Sequence, residues 1–190
     1  IRTIVSQLDQ ALMIENGSYI AAAKRSIDAY RNADFRPPSH AGPVYPDQPE
    51  ALAETITKYA SLVPTPQTKA TGGDLAGMLC PHIDYLRGHK TYAALWEAAK
   101  PDLSDIELVI ILGTDHMGGL GKITPTTQNY ATPYGILPTD IEIVDKLASV
   151  IGLKAAFDEE IHHANEHSIE LASVWLHHYT RDLEVSVVPI

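Results

Sequence analysis

A chain of 190 residues, 45% of them hydrophobic and 20% charged, is long enough for one domain with a substantial core. Its net charge of −10 comes from 24 acidic and 14 basic residues without a basic cluster, which argues against nucleic-acid and anionic-membrane partners. The single cysteine, Cys80, excludes an internal disulfide and fits a reducing compartment. No apolar run approaches the roughly 18 residues of a membrane span and no signal-peptide pattern opens the chain, so we expect a cytoplasmic protein.

The first part of the chain predicts two helices, which we interpret as an N-terminal helical extension (residues 1–35) ahead of the main domain (residues 36–190). Apolar residues follow helical spacing in IVSQLDQALMI, and Ser18 is the candidate N-cap of the alanine-rich second helix. Prolines then interrupt regular structure in FRPPSHAGPVYPDQP. A helix is expected over 49–61, and a loop over PTPQTKATGGD.

Strands and helices alternate along the rest of the chain. GMLCPHIDY predicts a strand followed by a loop, KTYAALWEAAK a helix, and IELVIILGTDHMGG a strand buried on both faces. GKITPTTQNYATPYG predicts a short excursion or hairpin, and DIEIVDKLASVIG a helix that ends at Gly152. LKAAF is expected to be a short strand, residues 166–179 a helix, and EVSVVPI a final strand. This order predicts an α/β fold, a three-layer α/β/α sandwich with a largely parallel or mixed central sheet.

Two of the predicted strands are each followed by a histidine, His82 in LCPHIDY and His116 in ILGTDH. A predicted helix lies between them, so the segment has the pattern of a βαβ unit with parallel strands and a right-handed crossover. Parallel strands end at one edge of their sheet, which is where open α/β sheets bind ligands. We therefore expect His82 and His116 to lie close together at that edge.

A third histidine, His167, can join this pair because it opens the 166–179 helix, with Asn165 as the candidate N-cap. The positive helix N-terminus keeps its ring neutral, as both metal ligation and general-base catalysis require. Glu170 follows three residues later and could orient His167. Three further carboxylates flank the histidines and could orient them through hydrogen bonds: Asp84, Asp115 and Glu166.

The remaining histidines have simpler explanations. His163 is four residues before His167, but HHAN precedes the helix, which breaks the helical pairing. His177 and His178 are expected to be solvated at the helix C-terminus, and His40 and His89 to lie at surface or turn positions. Cys80 could be a metal ligand, although a buried small apolar residue is the favoured interpretation.

The sequence gives little support to a different catalytic chemistry, because it lacks the motifs of other common active sites. The sequence has no GxSxG elbow, Walker loop, GxGxxG or HExxH motif. The segment TGGDLAG is glycine-rich, but it precedes a predicted strand rather than a helix, so it is a weak phosphate-binding candidate.

Four motifs, PHIDYLRG, LGTDH, ATPYGILPTD and EHSIE, occur in the same order as in Memo-like proteins, known in bacteria and archaea as AmmeMemoRadiSam system protein B. The segment RPPSHAGPVYPDQPEAL resembles the one that opens the core of this family. The resemblance runs from about Phe35 to Ile190, and the two preceding helices resemble the extension of a longer prokaryotic subgroup.

The resemblance implies a fold like that of the class III extradiol dioxygenases, with a non-haem metal site at the strand ends. It places His82 and His116 at metal-ligand positions and His167 at the position of a histidine that acts in acid/base chemistry. Asp84 stands where many relatives have glycine and adds a carboxylate. The resemblance also implies protein partners from the same gene system, an AMMECR-like protein and a radical SAM enzyme, and a homo-oligomer is a further expectation.

Both ends of the sequence suggest a part of a longer protein. It starts at Ile1 rather than Met and stops within EVSVVPI, before the position where the family's last metal ligand is expected. We therefore expect the C-terminal part of the domain to be missing, and the 190-residue chain alone to bind metal poorly.

The function that we expect is that of a metal-dependent oxidoreductase with non-haem iron or copper, zinc being a further possibility, and a substrate that the sequence does not name. His82 and His116 would hold the metal, and His167 would move protons. One alternative is a scaffold that acts through protein partners. The other is a metal-assisted hydrolase in which Asp115 and Glu166 serve as bases.

Overall fold

The computed structural model describes residues 1–64, 75–118 and 122–190. The chain divides into two compact units, Ile1–Asp34 and Phe35–Ile190. In these described ranges, no helix is both long and apolar enough to cross a membrane. Part of the loop expected over PTPQTKATGGD, and of the glycine-rich segment TGGDLAG, lies outside the described residues.

The first unit contains two helices, α1 (Arg2–Gln10) and α2 (Gly17–Arg31), as the sequence predicted. The N-cap of α2 is Asn16 rather than Ser18. The side-chain oxygen of Asn16 accepts hydrogen bonds from the first backbone N–H groups of the helix, one of them that of Ser18 at 2.9 Å. Asparagine is as good an N-cap as serine, and its earlier position starts the helix two residues sooner.

Five helices of the second unit are separated by loops and by two 3₁₀ turns. The helices are α3 (Pro49–Ala60), α4 (Tyr85–Ala99), α5 (Ile141–Ile151), α6 (Leu153–Phe157) and α7 (His167–Thr180). The 3₁₀ turns are Lys100–Asp102 and Glu160–Ala164. Three helices have a carboxylate that caps free backbone N–H groups in the first turn: Asp84, Asp140 and Glu166.

The described strands form one parallel and one antiparallel pair. They are β1 (Leu108–Ile111), β2 (Tyr130–Thr132), β3 (Gly135–Leu137) and β4 (Ser186–Pro189). Strand β1 pairs in parallel with β4, and β2 pairs with β3 as the predicted hairpin. A single parallel bridge between Thr139 and Val187 links the segment after the hairpin to β4. The mixture of helices with parallel and antiparallel strands confirms the α/β fold class.

Three predictions about the strands are wrong. LKAAF forms helix α6, because Gly152 at φ 99° ends α5 and the following lysine and alanines favour a new helical turn. Residues 75–84 contain no strand; Gly77 and Pro81 both weaken strand pairing. Strand β1 is not buried on both faces among the described residues, since Ile110 is 57% exposed.

The core of the second unit surrounds helix α7. Nine of its 14 residues are buried, including Trp175, which stacks on the parallel ring of Tyr92 at 5.6 Å. The hydroxyl of Tyr85 in α4 donates a hydrogen bond to the backbone oxygen of Leu171. Because α7 is held on several sides, its first residue, His167, has a fixed position.

Candidate metal centre

Three histidines from different segments meet at one place. His82 lies in the segment before α4, His116 in the loop after β1, and His167 at the start of α7. The ring centroids are 5.4 Å apart for His82 and His116, 5.6 Å for His82 and His167, and 4.5 Å for His116 and His167. One nitrogen atom from each ring lies within 4.8 Å of the others.

The structure thus brings together the three histidines that the sequence singled out, but not entirely by the expected route. His116 does follow a buried end of β1, and the backbone N–H of Thr114 in the same loop donates to the Ser168 hydroxyl of α7 at 2.8 Å. His82, in contrast, arrives on an irregular segment rather than at the end of a parallel strand. Its position depends on the start of α4 instead, and no strand register is involved.

Glu166 organises this site from the N-cap position of α7. Its carboxylate accepts hydrogen bonds from the backbone N–H of Ser168 at 2.8 Å and from Nδ1 of His116 at 3.0 Å. Burial alone would raise its pKa, but these bonds, together with that from the backbone N–H of His116, lower the pKa of Glu166 to about 2. An ionised carboxylate only accepts, so Nδ1 of His116 carries the hydrogen, and in the neutral imidazole Nε2 has a free lone pair.

His167 is held in the neutral form. Burial lowers its pKa, and the neighbouring rings of His116, His40 and His82 lower it further, against the opposing effect of Glu166. Its Nδ1 lies 3.4 Å from the Glu166 carboxylate. Although the sequence suggested Asn165 as the N-cap of this helix, Glu166 occupies that position. A neutral imidazole at a helix N-terminus can bind a metal or accept a proton.

Three of the predicted orienting carboxylates have other partners. Asp84 caps α4 and forms an ion pair with Arg87, so it does not orient His82. Asp115 accepts a hydrogen bond from His162 Nδ1 at 2.8 Å, and not from His116. Glu170 points away from His167 to the segment that includes Arg36.

Asp115 belongs to a second group that could bind a cation, with Glu159 and His162. The positive charge of Lys122 already pairs with Glu159 at 2.7 Å. His162 lowers the pKa of Asp115 against the effect of burial. Each carboxylate of this group therefore already has a partner among the described residues, Lys122 for Glu159 and His162 for Asp115.

Sequence reasoning missed the environment of Glu170. This carboxylate is 1% exposed and lies 2.6 Å from Nη2 of Arg36, which is fully buried. Burial alone would raise the pKa of Glu170, but Arg36 and the hydrogen bonds from Tyr45 and His40 lower it. His40 lies in a turn, as expected, and its ring lies 5.8 Å from that of His167. The histidine in RPPSHAGPVYP was the one sequence feature that could have indicated a residue of this segment near His167.

His177 and His178 were expected to be solvated but are half-buried, and His163 is buried. His163 is 4% exposed and lies 2.7 Å from the Tyr130 hydroxyl. His177 pairs with the Thr132 hydroxyl and His178 with the Tyr134 hydroxyl, so the last turn of α7 packs against the hairpin. Burial lowers the pKa of all three. The sequence could not show that the hairpin covers this end of the helix.

Burial of His178 predicts a loss of stability in acid. Burial, then Arg181 and Lys100, lower its pKa from 6.5 to about 4, against the effect of Glu97. The unfolded chain therefore takes up the proton first, so the contribution is complete above pH 6.5 and is lost as the pH falls towards 4. The measurement is urea unfolding at several pH values. Over this window, the free energy of unfolding of His178→Gln should depend less on pH than that of the wild type. His89→Gln is the control, and an unchanged dependence in His178→Gln would contradict the assignment.

Cys80 and His89 lie outside the three-histidine group. Burial raises the pKa of the Cys80 thiol to about 11, and the side chain packs against the core, in agreement with the favoured interpretation. His89 stacks on Tyr59 at 4.8 Å.

Comparison with known proteins decides the family. The family model described as Memo-like protein matches residues 36–190. The chain belongs to the Memo-like family. A MEMO1 family protein of Aquifex aeolicus is 28% identical over 193 residues, which cover 100% of this chain and 48% of the relative. One of Methanopyrus kandleri is 35% identical over 146 residues, 72% of this chain and 49% of the relative.

A third Memo-like relative, from Archaeoglobus fulgidus, is 27% identical over 156 residues, 82% of this chain and 53% of the relative. The chain therefore spans about half the length of the curated relatives that it matches. The Memo-like match includes all of the three-histidine group and the segment of Arg36 and His40.

Proposed function

We propose that this Memo-like protein is a metal-dependent oxidoreductase with non-haem iron or copper, in which His82 and His116 bind the metal and His167 moves protons. The observation that supports the proposal most is the approach of three ring nitrogens to within 4.8 Å of one another. Imidazole is a preferred ligand of iron, copper and zinc, so the donor set fits a divalent transition metal.

The surroundings of the histidines support metal binding. Glu166 accepts from Nδ1 of His116 and leaves Nε2 as the donor atom, the arrangement that usually orients and polarises a metal-binding histidine. The side chains of His116 and His167 are 41% and 33% exposed, so a small molecule has access from solvent. When bound, a redox-active ion would supply electron transfer to dioxygen or a substrate.

His167 is suited to proton transfer. Its neutral ring has a free lone pair, and Glu166 beside it would stabilise the positive charge that appears when a proton is accepted. Proton transfer by this residue, rather than ligation, would leave open positions on the metal.

The test begins with the full-length gene product that carries this sequence, purified without added metal. We expect about one iron or copper per chain, and oxygen consumption that requires this metal and a catechol-like substrate. Turnover of esters or amides without oxygen would support the hydrolase instead, although Asp115, one of its proposed bases, is occupied by His162. Full-affinity binding of an AMMECR-like or radical SAM partner after loss of His82 would support the scaffold.

Removal of the carboxylate that orients His116 should weaken metal binding. For Glu166→Gln we expect an affinity about 10- to 100-fold lower, the usual cost of losing a group that orients a ligand. The measurement is a competition titration with a coloured chelator. Glu142→Gln, in an exposed ion pair with Lys146, is the matched control. Equal affinities for Glu166→Gln and the control would contradict the role of Glu166.

A further inference from the structure

The segment from Arg36 to Tyr45, with the sequence RPPSHAGPVY, has no part in the function proposed above. It nevertheless lies against the start of α7, where the guanidinium of Arg36 donates to the backbone oxygens of His163 at 2.7 Å and Glu166 at 2.9 Å. The segment is therefore anchored beside the three-histidine group by buried contacts.

Glu170 fixes the residue at the centre of this segment, His40. One carboxylate oxygen accepts from the backbone N–H of His40 at 2.8 Å, and the other lies 3.0 Å from its ring Nδ1. The hydroxyl of Tyr45 and both the backbone N–H and the hydroxyl of Ser39 donate to the same carboxylate. With Arg36 beside it, Glu170 stays ionised, so the main chain and the ring of His40 are both fixed.

This arrangement determines which nitrogen of His40 is free. An ionised carboxylate only accepts, so Nδ1 carries the hydrogen, and in the neutral imidazole Nε2 presents a lone pair. Among the described residues, Nε2 has no hydrogen-bond partner, and the side chain is 27% exposed. The ring lies 5.8 Å from that of His167, close to the 5.6 Å between His82 and His167. His40 is not one of the three residues whose nitrogens lie within 4.8 Å of one another, so it stands beside the group.

We propose that His40 is a further ligand-contacting residue, whose Nε2 accepts a hydrogen bond from a hydroxyl group of the molecule bound at the three-histidine group. This inference rests on the proposed function, since that molecule binds there through the metal. The ligand class is a small molecule with one metal-binding oxygen and a neighbouring hydroxyl. His40 selects this class because Glu170 fixes its ring in advance. The lone pair of Nε2 can accept a hydrogen bond from a hydroxyl group, whereas an ether oxygen has no hydrogen to donate and leaves the lone pair unpaired.

The experiment uses two coloured probes, 4-nitrocatechol and its monomethyl ether that lacks one hydroxyl. Their dissociation constants are measured by optical titration of the full-length protein, both metal-free and loaded with redox-inert Zn²⁺. We expect the wild type with Zn²⁺ to prefer the catechol about tenfold, the usual effect of one well-placed hydrogen bond. His40→Phe should lose the preference, and His40→Gln should keep part of it, because the amide oxygen still accepts. His89→Phe is the matched control.

Zinc affinity, measured separately by chelator competition, separates the two proposals. Loss of the preference in His40→Phe with unchanged zinc affinity supports the role of His40. An unchanged preference in both His40 variants overturns it and leaves the metal proposal standing. If zinc does not bind but the metal-free protein shows a preference that depends on His40, the metal proposal fails and the contact stands. If neither probe binds in either form, the inference about His40 is overturned.

Discussion

Replacing Arg36 by alanine is expected to lower the free energy of unfolding by about 3–5 kcal/mol. The side chains of Arg36 and Glu170 are 0% and 1% exposed, and their charged atoms are 2.6 Å apart. Loss of the guanidinium leaves the carboxylate buried without its cation. It also removes the donors to the backbone oxygens of His163 and Glu166, which then remain buried with one hydrogen bond fewer. Urea unfolding at pH 7 measures the effect.

Two further variants make this prediction specific. Lys146→Ala breaks an ion pair whose side chains are 69% and 79% exposed, and should leave the free energy of unfolding close to that of the wild type. Arg36→Lys keeps the charge but not the forked geometry, so its stability should lie between those of Arg36→Ala and the wild type. If Arg36→Ala does not fold, Arg36→Lys still reports the loss. A loss below about 1 kcal/mol in Arg36→Ala would contradict a structural role for the buried pair.

For metal binding, the largest effect is expected from His82→Ala and His116→Ala, each of which should weaken the affinity by more than about 100-fold. Loss of a group that only orients a ligand already costs about 10- to 100-fold, and a lost ligand removes a donor outright. The two rings are 5.4 Å apart, and among the described residues the group that they form includes one further histidine, His167. Chelator competition with the full-length protein gives the affinities.

His167→Ala distinguishes a ligand from a proton-transfer residue in the same assay. We expect its metal affinity to fall by less than about tenfold, because His82 and His116 remain, while turnover is abolished. His89→Ala, which removes a ring that stacks on Tyr59 of α3 outside the three-histidine group, should bind metal as the wild type does. Should His167→Ala lose as much affinity as His116→Ala, His167 is a third ligand and the division of roles is wrong.

Local sequence patterns predicted most of the elements. The helices α3 and α5, the hairpin of β2 and β3, and the end of α5 at Gly152 follow from apolar spacing and from turn residues that act over a few positions. The prediction was wrong where short-range patterns are ambiguous. LKAAF has too few residues to show a period, and GMLC has strand-like residues next to Gly77 and Pro81.

The sequence by itself determined the α/β class, the family motifs and the choice of His82, His116 and His167, because each depends on residues close together in the chain. Only the tertiary structure decided which carboxylate serves which histidine. Asp115, next to His116, pairs with His162, while Glu166 reaches His116 from 50 positions away. His40 and Glu170 meet across 130 positions. Contacts of this kind arise from the packing of α7 against distant segments, and local propensity carries no information about which buried charges will meet.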